Sequence, residues 1–194
     1  MPNLCRWIVP LQLEAQAAEA ENVIAFWRQA GPERWFAKDA AFDEDFRARF
    51  LGLHERAARG ELDAWLDAPE SALALLLLLD QFPRNCFRGS ARMYATDAAA
   101  RAAAARVIDT GFDLRIEPAL RLFVYLPFSH SESLADQDHA VALQHSLGPE
   151  PYSHALGHRD IIRRFGRFPH RNAILGRATT PEEAAFLAAG GFSG

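Results

Sequence analysis

Residues 67–83 read Asp67-Ala68-Pro69-Glu70-Ser71-Ala72-Leu73-Ala74-Leu75-Leu76-Leu77-Leu78-Leu79-Asp80-Gln81-Phe82-Pro83. Asp67 and Pro69 open a helix that carries Ala72 to Leu79, and Pro83 ends it or kinks it. The apolar residues do not keep to one stripe. A helix apolar all round must be covered on every side, so this one belongs at the centre of the protein. The run is too short to cross a bilayer, which takes about 20 apolar residues.

Helical signals extend outward from this centre. Phe42, Phe46, Phe50 and Leu53 recur at steps of four, four and three, which puts them on one helix face. Asp39 is placed to cap that helix and Gly60 to stop it. Thr96 is expected to cap an alanine-rich helix that ends at Gly111, and Glu117-Pro118 to open another that ends near Pro127. Ser133 with Asp136 resembles a capping box for a helix that ends at Gly148, and Pro151 begins one that Gly166 ends. Thr180, Pro181 and Glu183 supply an N-cap, a proline at the first turn and an acid three residues on, and Gly190-Gly191 stops that helix. No alternating β-branched run competes, and no linker divides the chain. The expectation is one all-α domain over residues 1–194, with about seven to nine helices packed as irregular antiparallel pairs.

Charge narrows the function. The 21 Lys and Arg against 25 Asp and Glu leave a net charge of −4, which argues against a nucleic-acid binder. Lys38 is the single lysine, so the cations are arginines, either by codon bias or for bidentate anion contacts. Cys5 and Cys86 form no CxxC, and the first residues (Arg6, then Pro10, Gln12 and Glu14) do not read as a secretory signal, so a reducing cytoplasm is expected. With no Walker loop, GxGxxG or GxSxG, no cofactor is expected.

Three stretches hold candidate chemistry. Arg167, His170, Arg171 and Asn172 are interleaved with Phe165 and Phe168, which would hold the cations at the core boundary, where each needs an anionic partner. Asp80, Arg84, Asn85 and Arg88 form a faint echo of that stretch, as stacked helix pairs would produce. His130 and Glu132 sit in the turn before a capped helix that carries Gln137, an imidazole beside a carboxylate that suits proton transfer. His154 and His158 stand four apart, with His158 toward the apolar side, but Ala155 breaks the zincin pattern.

These segments together resemble the bacterial domain-of-unknown-function family 924, above all the string Phe165-Gly166-Arg167-Phe168-Pro169-His170-Arg171-Asn172. The likeness spans nearly the whole chain, from Phe26-Trp27 and Trp35-Phe36 to Thr180-Pro181-Glu182-Glu183. It implies a helical fold similar to tetratricopeptide repeats and implies no activity. His139, His145 and His154 lie outside the family's pattern.

Two readings follow. In one, His130, Glu132 and His170 are catalytic, and Asp80, Arg84, Asn85, Arg88, Gln137, His158, Arg167, Arg171 and Asn172 bind a small phosphate- or carboxylate-bearing molecule in a hydrolase or transferase. A divalent metal on His130, Glu132, His158 and His170 is a variant, disfavoured because the arginines would repel a cation. In the other, the same groups brace a helical module that binds a partner protein. Neither nucleic acid nor membrane is an expected partner.

Overall fold

The computed structural model describes the backbone of residues 5–192 and the side chains of residues 14–192; Cys5, Arg6, Pro10 and Gln12 lie outside the described side chains. Helices α1 (Cys5–Ala30), α2 (Pro32–Trp35) and α3 (Ala40–Ala58) come first, then α4 (Pro69–Leu76). The chain passes from α4 through a π turn (Leu77–Gln81) into α5 (Phe82–Cys86). Then come α6 (Asp97–Asp109), α7 (Leu122–Ser129), α8 (Leu134–His145), α9 (Pro149–Phe165) and α10 (Pro181–Ala188). Counting α4 and α5 as one bent rod gives nine helices, with no strand among the described residues.

The leucine-rich helix is central, as its composition requires. Residues Ala72 to Leu79 are all at most 3 % exposed, and α4 with its π turn touches α1, α3, α6 and α7. Each buried leucine contributes about 2 kcal/mol relative to exposure. Phe42 and Phe46 stack on Phe26 of α1 and Phe50 meets it edge-on, while Trp27 packs against Trp35 and Phe123. Asp39 caps α3 by accepting from the N–H groups of Ala41 and Phe42. Thr180 and Glu183 close the expected capping box on α10, and Gly166, at φ 70°, ends α9 in the left-handed conformation that suits glycine.

Two expectations about helix ends are corrected. Thr96 does not cap α6; its hydroxyl donates to the carbonyl of Leu79 in the π turn. That carbonyl is deeply buried and has the greater need of a donor. Residues 117–121 form a tight turn, so α7 starts at Leu122 and runs through Pro127 to Ser129. Pro127 removes one backbone bond, but α7 is buried along its length against α6, α8 and α9, and packing holds it helical.

Candidate functional site

Pro83 cannot donate a backbone N–H, and just before it the helix widens into the π turn, where Phe82 N–H bonds to Leu77 O. Tertiary partners serve the neighbouring carbonyls. His54 Nδ1 lies 2.9 Å from Leu78 O, and Thr96 reaches Leu79 O. Burial lowers the His54 pKa, so a neutral ring donates this bond. The widened turn leaves Asp80 1 % exposed yet surrounded by donors.

His130 Nδ1 is 2.8 Å from Asp80 Oδ1, Arg84 Nη1 is 2.9 Å from the same oxygen, and Gln81 Nε2 donates to Oδ2 at 2.6 Å. Burial alone would raise the Asp80 pKa, but Arg84 and then His130 outweigh it and bring it down to about 2. His130 is itself pushed down, first by burial and then by Arg84, so it is neutral near pH 7. An ionised Asp80 can only accept, so His130 Nδ1 carries the proton and Nε2 presents its lone pair. Nε2 bonds to nothing among the described residues, and the ring lies in the wall of a cavity of about 680 Å³.

The cavity unites segments far apart in sequence. Its polar wall holds Arg84, Asn85 and Arg88 from α5 and its C-terminal end, His130 after α7, Gln144 of α8, His154 and His158 of α9, and His170 and Arg171. Trp35, Phe36, Leu122, Leu126, Pro151 and Phe192 make much of the rest, with Phe36 and Phe192 part-exposed. Phe192, His154 and His158 also border a second cavity of about 390 Å³ between α9 and α10.

Arg171 is 6 % exposed, with its guanidinium centre 4.5 Å from both the Tyr94 and Phe168 rings. Its Nη2 donates to His130 O at 2.9 Å, which ties it to the His130 turn. Nη1 stands 3.6 Å from Asp97 Oδ2, too far for a good hydrogen bond. Arg84 Nη2 lies 2.9 Å from the other oxygen of Asp97, out of hydrogen-bond alignment. Burial, then Arg84, lowers the Arg171 pKa. His158 falls to about 3 and His170 to about 4, each by burial first and nearby imidazoles and cations next, and each has a buried Nδ1 without a hydrogen bond.

A sequence profile described as "Bacterial protein of unknown function (DUF924)" matches residues 23–191. The chain belongs to the DUF924 family. Similar to this DUF924 chain is a solved structure of a protein of unknown function, ATU0120, from Agrobacterium tumefaciens. It is 57 % identical with a TM-score of 0.88, and the alignment covers 89 % of this chain and 98 % of that one. No curated protein matches.

In this DUF924 chain the sequence candidates divide into two groups. Arg84, Asn85, Arg88, His130, His158, His170 and Arg171 line the cavity, with Asp80 directly behind. Arg167, Asn172, Glu132 and Gln137 stand outside its walls. Arg167 is held bidentate by Glu183 at 2.6 and 2.9 Å, and Asn172 donates to the same carboxylate. Glu132 takes Arg177 at 2.7 and 3.0 Å and the N–H of Phe168 at 2.8 Å; these contacts carry its pKa below the usual range, against the effect of burial. Gln137 donates to Ser129 O and Ser131 O, fixing the turn that presents His130. Ser129 and Ser131 do not line the cavity; Ser129 accepts from Nε2 of the wall residue Gln144, and Ser131 donates to Asp136. Among the described residues no three His, Cys, Asp or Glu side chains converge to hold a metal ion.

Sequence reasoning missed Tyr94, Asp97, Gln144 and the apolar wall. Asp97 is placed at the start of an alanine-rich helix, where an acid is ordinary, so only the fold shows that two arginines share it. His154, outside the family's pattern, is a wall residue all the same.

Proposed function

We propose that the cavity is a small-molecule site of hydrolase or transferase type, in which His130 moves a proton and Arg171, with Arg84, holds an anionic group of the substrate, a phosphate or a carboxylate. The observation that carries the reading is the 2.8 Å Asp80–His130 contact in the same cavity wall as Arg171. Asp80 fixes the tautomer and ring orientation, and Nε2 takes a proton from a water or hydroxyl at neutral pH. As that proton arrives, the buried Asp80 carboxylate stabilises the imidazolium. A volume of this size suits an organic metabolite, since ligand cavities span roughly 300–1,000 Å³. The buried free thiol of Cys86, raised by burial to about 12, fits work in the cytoplasm.

The test is turnover of p-nitrophenyl phosphate and of the p-nitrophenyl monoesters of succinate and suberate, each of which carries an anionic group for Arg171, by the wild type and by His130→Gln. The expected result is turnover of at least one ester, falling about a hundredfold or more in the variant. Equal turnover by both proteins, or none by the wild type, overturns the reading. A second reading rests on Phe36 and Phe192, 61 % and 42 % exposed at the cavity. In it, a tetratricopeptide-like module seats an apolar side chain of a partner protein there and the ion pairs are braces. It predicts partner binding that survives His130→Gln and fails in Phe36→Ser.

A further inference from the structure

The polar wall is close to charge-balanced. Arg88 Nε is 2.6 Å from Asp43, Arg84 is 2.9 Å from both Asp80 and Asp97, and Asp97 also faces Arg171. Burial and nearby positive groups hold His158 and His170 neutral, so they add no charge at pH 7. Glu150, exposed at the rim, adds a negative one. Within this wall, Arg171 Nη1 is the cation nitrogen that has only a loose ion pair and no hydrogen bond to a described residue. With every wall arginine paired, an anion here must share Arg171 with Asp97, and the second charge of a dianionic phosphate would have no cation at all, at high cost in a partly dry cavity. A carboxylate brings a single charge. The remaining walls, from Trp35 and Phe36 to Leu122 and Leu126, gain only if apolar carbon covers them.

Resting on the small-molecule reading above, we infer that the cavity takes an amphipathic monocarboxylate. Its carboxylate meets Arg171 Nη1 beside His130, and an alkyl or aryl body lies against Trp35, Phe36, Leu122 and Leu126. This narrows the anion class and adds an apolar body as a requirement.

The test is calorimetric titration of the wild type at pH 7 with octanoate, octyl phosphate, octanol, acetate and inorganic phosphate. Octanoate is expected to bind at least about a hundredfold tighter than acetate, because six further methylenes leave water and full burial of all six would give over about a thousandfold. It is expected to bind about tenfold or more tighter than octyl phosphate and octanol. Leu122→Trp, which fills the apolar side, should weaken octanoate about tenfold, and Arg171→Met should do so without weakening octanol. Leu122→Trp keeps the test open should the arginine variant not fold. Tighter binding of octyl phosphate or inorganic phosphate, or equal binding of acetate and octanoate, overturns the inference and leaves an anion site standing. Octanol matching octanoate, or no anion binding at millimolar concentration, overturns the anion-site reading as well.

Discussion

Replacing Asp80 by Asn removes one charge from the most enclosed ion cluster among the described residues. Asp80 is 1 % exposed and accepts from His130, Arg84 and Gln81. Its folded pKa of about 2 lies below the unfolded value of 3.8. At about 1.4 kcal/mol per pH unit, that gap contributes about 2–3 kcal/mol at pH 7. The amide also turns an N–H₂ toward a donor, leaving one buried donor unsatisfied at a further cost of about 1–3 kcal/mol. The predicted loss is therefore about 3–6 kcal/mol, close to the range for breaking a buried ion pair. Urea denaturation of both proteins at pH 7 measures it. The pH dependence provides a second check. A depressed carboxylate stabilises fully above its unfolded pKa and loses that contribution as pH falls through the folded one. The difference between the two proteins should hold from pH 7 to about 4 and narrow toward pH 2. Thermal melts in sucrose, which favours the folded form, extend the comparison to about pH 3. A loss below about 1 kcal/mol at pH 7, or a difference that stays constant below pH 4, would refute the reasoning that Asp80 is ionised and anchors the cluster.

The histidines predict an acid sensitivity of the opposite origin: folded pKa values of about 3 for His158 and about 4 for His170 lie below the ordinary 6.5, so their contribution is complete above about pH 6.5 and is lost as pH falls toward those values. The wild type should lose about 2 kcal/mol or more between pH 6.5 and 4.5 by urea titration, and His158→Phe should recover about half; an unchanged slope in the variant would count against a neutral buried ring. Leu77→Ala should cost about 3–5 kcal/mol by chemical denaturation, because the side chain is fully buried at the junction of α4 and the π turn; a cost below about 1 kcal/mol would mean that this helix is not the packed centre.

The all-helical fold was legible because its signals are local. The steps between Phe42, Phe46 and Phe50, the Asp39 and Thr180 caps and the glycine after Phe165 act through neighbours a few residues away. The failures at Thr96 and Glu117 have one cause: a distant group or a packed surface outweighed the local preference. The candidate site divides the same way. Arginines, histidines and carboxylates at a core boundary announce that they need partners, and the two echoed segments do meet at one cavity. Which partner each residue takes is not a local property. Arg167 and Arg171 stand four apart in one string, yet Arg167 closes on Glu183 while Arg171 packs between Tyr94 and Phe168.

The sequence by itself therefore determined the helices, the centrality of residues 72–79 and the need of the polar clusters for counter-charges, since periodicity, capping and desolvation act on residue type and spacing. Only the tertiary structure decided that Asp80 serves His130 across 50 positions, that Asp97 lies between two arginines, and that an apolar wall faces them. Ion pairs and cavities depend on distances of a few ångströms between groups far apart in the chain, and those distances exist only once the helices have packed.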